Sequence, residues 1–342
     1  MKTIGSTIIM LALASSLFAD NGKELKLASP DGTHEIVFYQ KQVSPAVNEL
    51  CYRVDYKSQP VVNESRAGLE LDNRIWEMAL GVRNLKQPAC WMDNLEVDSV
   101  TYQLETNLTW QPLYGERSSV RDHYRAGTLC LSKKDNSGYR LNIEVRAYNE
   151  GVAFRYFFPE HPKAIFHKVV GDLTEYALPA GTKAWTEQWA QAFFERLNID
   201  DIKHPVERTL TFELPNGKWA ALADADVDDW CLTKYLVSTD KKNTLTSVMY
   251  SPVDVVTYYA TPWKIVMAAD KPGELLEHND IIQNLNPPCE IADAAAWVKP
   301  GKIMRENNYH HRRSYCNHRL LCSTSYSVYA FRLAMVYALY FT

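Results

Sequence analysis

The run Leu141-Asn142-Ile143-Glu144-Val145-Arg146-Ala147-Tyr148-Asn149-Glu150-Gly151-Val152-Ala153-Phe154-Arg155-Tyr156-Phe157-Phe158 decides the fold class. Its first half alternates apolar and polar residues, the period of a half-buried strand. Its second half is aromatic and β-branched, and Asn149-Glu150-Gly151 between the halves is turn chemistry. The stretch therefore predicts an antiparallel hairpin. Comparable strand-like runs occur at Glu35-Ile36-Val37-Phe38-Tyr39 and Trp263-Lys264-Ile265-Val266-Met267-Ala268. Turn signals stand at Pro30-Asp31-Gly32, Pro215-Asn216-Gly217 and Lys271-Pro272-Gly273, with one short helix expected at Glu274–His278. Strands recurring over residues 24–285 predict a mainly β chain. The architecture expected is a large sandwich rather than a parallel sheet.

The chain has 342 residues, 46% hydrophobic and 23% charged, which is globular composition and excludes disorder as the main state. Its net charge of −4 gives no basic field for nucleic acid. Setting aside Lys2 and the four tail arginines leaves 32 basic against 41 acidic residues, or −9, for residues 20–306. Residues 1–19 read as a signal peptide: Lys2, the apolar run Ile8–Ala14, and a cut expected after Ala19. That run is too short for a membrane anchor, so an exported protein, periplasmic or extracellular, is expected. The seven cysteines show no C-x-x-C and no Cys/His ligand spacing, so free, mostly buried thiols are expected and zinc is not.

Several stretches taken together resemble the N-terminal part of glycoside hydrolase family 97, exported bacterial α-glucosidases and α-galactosidases. They are Ser29-Pro30-Asp31-Gly32, the segment Trp110–Glu116, the segment Arg146–Tyr156, Thr261-Pro262-Trp263, Asn284–Cys289 and Lys299-Pro300-Gly301-Lys302. The resemblance runs from 24 to 306. It implies a large antiparallel super-β-sandwich over residues 20–286 and a linker over 287–306 leading to a (β/α)8 barrel that would begin where this chain ends. It also implies that the acid and the nucleophile or base are barrel residues. No catalytic residue is therefore assigned here, and the chain by itself is expected to be inactive. A free-standing carbohydrate-binding module is the alternative. The partner implied is carbohydrate, an α-glucoside or α-galactoside, with no nucleic acid and no membrane.

The resemblance also implies a calcium ion held mainly by barrel carboxylates, with Glu195 as the glutamate contributed by the sandwich. A hard carboxylate oxygen suits calcium, which takes six to eight oxygens, so one glutamate would not hold it tightly. The competing reading of Glu195 is an ion pair with Arg196 or Arg208. Trp185, Trp189, Phe193 and Phe194 precede Glu195. Such rings can stack on sugars, but burial in the core or against a barrel is the expectation. Asp224-Ala225-Asp226-Val227-Asp228-Asp229 lacks the Gly and Glu of a calcium-binding EF loop and reads as a solvated acidic turn. Trp263 reads as core, and Arg146 and Arg155 as partners of cross-strand carboxylates.

After Glu306 the composition breaks: residues 307–342 contain no Asp, Glu, Lys, Gly or Pro. Shifted by one base, permitted codons for this tail spell a Phe-Asp-Trp region like the family's continuation into the barrel. Residues 307–342 are therefore expected to be a frameshifted tail without a domain. The nucleotide sequence around the Glu306 codon tests this.

Overall fold

A computed structural model describes residues 18–20, 23–72, 93–113, 115–134, 138–161 and 166–298. Residues 1–17 of the expected signal peptide and all of the expected frameshifted tail, 307–342, lie outside them. Chain contacts separate two units, one of residues 1–108 and 122–287, the other of 109–121 and 288–342. Among its described residues the second unit holds one short helix, Ala294–Trp297.

The first unit is an antiparallel β-sandwich. Its large sheet runs in the order Phe18–Asp20, Leu95–Tyr102, Val120–Lys133, Arg140–Tyr148, Gly151–Phe158, Trp263–Ala269, Trp219–Ala225, Leu210–Glu213, Lys183–Thr186 and Glu195–Asn198. A four-stranded meander, Glu24–Ala28, His34–Ser44, Val47–Tyr56 and Gln59–Arg66, packs on it through aromatic residues. Phe38 and Tyr52 of the meander stand 5.1 and 4.9 Å from Phe154 of the large sheet, ring centre to ring centre. Two three-stranded sheets complete the main core. One orders Val253–Val256, Phe166–Asp172 and Leu69–Leu71, the other Glu175–Ala177, Thr244–Met249 and Thr233–Val237.

The predicted hairpin forms with Tyr148 opposite Gly151 and Glu144 opposite Arg155. Arg155 Nε donates to Glu144 Oε2 at 2.7 Å, the expected cross-strand pair. Arg146 departs from expectation: its guanidinium lies over the rings of Tyr124 (4.6 Å) and Trp263 (4.9 Å). Arg155 covers Trp263 as well, at 4.4 Å, so the indole is clasped by two cations. Trp263 is core, as read.

The central strands bury both faces. Val152, Phe154, Leu222 and Val266 belong to the main core, while Ala153, Ala221, Ala223, Ile265 and Met267 form a second cluster behind the sheet. That cluster is covered by Leu275, Ile281 and Leu285, which lie on the helices Pro272–Glu277 and Asp280–Leu285. The alanines leave room for helices to approach the sheet. Lys271-Pro272-Gly273 is therefore a helix entrance rather than a turn. Proline is preorganised for the first helical position, and Glu274 accepts the Asp270 N–H at 3.0 Å.

Gly151 sits where the hairpin meets the strand Trp263–Ala269. A Cβ there would lie 2.6 Å from the Val266 carbonyl oxygen and 2.9 Å from Met267 Cα. Both obstacles are backbone and cannot swing aside. Gly151→Ala is expected to cost about 1–3 kcal/mol, the usual range for overpacking, read from the urea midpoint at unchanged slope.

Candidate functional site

The hairpin of Lys183–Thr186 and Glu195–Asn198 closes one edge of the large sheet, with Thr186 opposite Glu195 and Trp185 opposite Arg196. Its base is fixed by polar contacts. Trp185 Nε1 donates to Glu213 Oε1 at 2.9 Å, and Arg196 Nε donates to the same oxygen at 2.8 Å. The Arg196 hydrogen bonds hold the Glu213 carboxyl below its ordinary value. Lys234 Nζ donates to the Gln188 carbonyl at 2.6 Å and pairs with Glu207 at 2.7 Å.

The loop carried by this base is apolar and exposed. Trp189 is 57% exposed, Phe194 64% and Phe193 93%. Core burial, one of the two expected outcomes, is therefore not what the fold shows for Trp189, Phe193 and Phe194. Glu195 is exposed beside them, and its carboxylate makes no hydrogen bond or ion pair among the described residues. The anticipated ion pair is absent because both arginines are engaged elsewhere. Arg196 holds Glu213, and Arg208 Nη1 donates to Asp224 Oδ2 at 2.7 Å. Among the described residues no three His, Cys, Asp or Glu side chains are grouped to hold a metal. Glu195 alone therefore does not make a calcium site among the described residues.

Asp224 is not in a solvated turn. It ends the strand Trp219–Ala225 and accepts from Arg208 and from Thr233 Oγ1 (3.0 Å). Asp226 accepts from Arg155 Nη1 at 3.1 Å, so only Asp228 and Asp229 are exposed as the sequence suggests. Among the described cysteines Cys51 is buried, Cys130 and Cys231 are half-buried and Cys289 is exposed, all as free thiols. Burial pushes the Cys51 thiol up to about 11, which makes it inert near neutral pH.

One aromatic feature was missed in the sequence. Trp230 and Tyr259 stack with ring centres 6.1 Å apart and planes 17° apart. They lie 29 positions apart on different segments, so only the fold pairs them. No helix among the described residues is long and apolar enough to cross a membrane.

Residues 27–288 match the family described as Glycosyl-hydrolase 97 N-terminal. A retaining α-galactosidase of Bacteroides thetaiotaomicron is 23% identical over 338 residues, covering 87% of this chain and 46% of that protein. A glycoside hydrolase family 97 enzyme from Pseudoalteromonas sp. strain K8, solved with acarbose and with panose, superposes with a TM-score of 0.69 at 24% identity. That likeness covers 82% of this chain and 40% of the enzyme. A β-arabinopyranosidase structure superposes at 0.59 with 17% identity, covering 72% of this chain and 40% of that one. The chain thus spans less than half the length of each of these relatives.

Proposed function

The chain belongs to the glycosyl-hydrolase 97 N-terminal family, and from that premise we propose that it is the sandwich portion of an exported α-glycosidase acting on terminal α-linked glucose or galactose. Glycoside hydrolysis needs two carboxylates flanking one bond, one of them protonated. In this reading the catalytic pair belongs to a barrel, and the sandwich contributes a docking surface and one oxygen ligand. The observation that carries it is the edge hairpin, an unpaired Glu195 carboxylate set among the exposed rings of Trp189, Phe193 and Phe194.

The hairpin base does the positioning. Strand pairing fixes Glu195 opposite Thr186, whose hydroxyl donates to the Glu195 carbonyl at 3.2 Å. Glu213 keeps Arg196 turned away from Glu195, so the carboxylate keeps its charge available as a donor to calcium. The exposed rings exclude water from whatever surface covers them. Bound calcium would supply a Lewis acid near the sugar oxygens. The apolar segment within residues 1–19 supports delivery to the periplasm or the exterior.

Purified chain is expected to show no hydrolysis of aryl α-glucoside or α-galactoside, with or without calcium. Calcium affinity in calorimetry is expected to be weaker than about 10⁻³ M, because one carboxylate is far from the six to eight oxygens of a competent site. Calcium-stimulated turnover by a pure preparation would overturn this reading. A carbohydrate-binding module remains the second reading, favoured by the Trp230–Tyr259 pair.

A further inference from the structure

Trp230 and Tyr259 wall an open groove of about 670 Å3, completed by Asp229, Cys231, Ser251 and Asp254. It lies along the edge strand Val253–Val256, in the same unit as the hairpin described above but built from different residues. The wall is rigid. The Tyr259 hydroxyl donates to the carbonyls of Asp228 (3.1 Å) and Asp229 (3.2 Å), and both rings pack against the main core. A second, enclosed cavity of about 10 Å3 also has Trp230 in its lining, with Asp224 and Lys264, so the indole is held between the protein's polar interior and the groove.

The lining selects a ligand class. It offers the rings of Trp230 and Tyr259, the Ser251 hydroxyl, and the carboxylates of Asp229 and Asp254 as acceptors. No Lys, Arg or His lines it among the described residues, so a phosphate, sulfate or other anion meets two like charges and no counter-charge. A neutral polyol fits on both counts. Its C–H face stacks on the ring wall, and its hydroxyls donate to the carboxylates in charge-assisted hydrogen bonds, the stronger kind. The volume lies within the range of small-ligand sites and accommodates more than one sugar ring.

We infer that the Trp230–Tyr259 groove is a saccharide-binding site of the sandwich itself, holding a short neutral oligosaccharide. The choice of a sugar among neutral polyols rests on the proposed function, while the groove's chemistry does not. Such a site keeps the domain on its polymer or oligomer, raising the local substrate concentration for a tethered catalytic unit.

The test titrates the full chain with panose, followed by calorimetry and tryptophan fluorescence, and in parallel with choline chloride, a cation that the same ring and carboxylates could attract. Saturable panose binding without choline binding is expected. Trp230→Ala should weaken panose at least about tenfold, as for loss of a stacking platform worth roughly 1.4 kcal/mol. Because Trp230 also packs on the core, Asp254→Asn serves as the second variant. Asp254 is exposed on the edge strand, and its substitution should weaken panose about three- to tenfold by removing charge from an accepting group. Absence of saturable panose binding by folded chain would overturn the inference. So would choline binding in its place, or unchanged affinity in both folded variants. None of these outcomes touches the Glu195 reading, which is measured by calcium affinity and hydrolysis.

Discussion

Lowering the pH from 7 to 4 is expected to remove about 6 kcal/mol of folding free energy, about 3 kcal/mol from each of two buried histidines. His34 is 1% exposed and His167 2%. Burial depresses the first to about 4; Lys57 and His278 push the same way, and the Ala268 carbonyl and Asp31 oppose them. Burial depresses the second to about 3, with His161 adding to the effect. His167 lies between Phe158 and Tyr139, ring centres at 4.8 and 5.7 Å, where a cation has little solvation. The unfolded chain takes up both protons near pH 6.5, and the folded chain resists them until pH 4 or below. The stabilisation is complete above pH 6.5 and is lost as the pH falls through that window.

Other groups act mostly outside this window. Burial raises the carboxyls of Asp122 and Glu150, which favours the fold in acid and offsets part of the loss at its lower end. Lys218 and Lys57 hold the Asp270 carboxyl down at about 2, so its contribution is lost only below pH 4. Between pH 6.5 and 5.5 the histidines therefore dominate. Since whole-domain stability is of order 5–15 kcal/mol, unfolding near pH 4 is the expected result. Urea titrations at pH 7, 6, 5 and 4 read it, and His167→Phe should roughly halve the slope against pH. A flat profile from pH 7 to 5 would show that neither histidine is held neutral by the fold.

Local patterns in the sequence were enough for the sandwich. The alternation from Leu141 to Tyr148 and the turn at Asn149-Glu150 give the hairpin in its observed register. They were not enough for its second layer. Trp263–Ala269 is apolar apart from Lys264 because both sides are covered, and period-2 reasoning cannot say by what. The covering helices are six residues each, too short for a 3.6-residue period to show. The same limit applies to the sites. Glu195 is singled out only by the family resemblance, and its lack of a partner among the described residues depends on where Glu213 and Asp224 send Arg196 and Arg208. Those assignments join residues 16 or 17 positions apart. The Trp230–Tyr259 wall brings together a loop and a two-residue strand, neither of which carries a motif.

Lys264→Met is expected to destabilise the domain by about 3–5 kcal/mol, the cost of leaving a buried charge without its partner. Lys264 interrupts an otherwise apolar strand, and in a sheet with one wet face it would point to water. Here both faces are covered, and the ammonium ends on Asp172, whose side chain is 1% exposed. Burial pushes the Lys264 ammonium towards deprotonation, but Asp172 and Asp224 outweigh it and hold its value above the ordinary one. The lysine is therefore cationic at neutral pH. Among the described residues Asp172 has further support only from Thr174, through its N–H at 3.0 Å and its hydroxyl at 2.6 Å. Methionine keeps most of the lysine's volume and removes the charge, so the loss reports the carboxylate and not a cavity. Adding Asp172→Asn should restore a large part of it, since a neutral amide needs no counter-charge. Thermal and urea unfolding of the two single variants and the double variant give the coupling. If Lys264→Met alone unfolds like the parent, water reaches Asp172 through the 10 Å3 cavity that both side chains line. The interior between Asp172 and Trp230 would then be wet rather than closed.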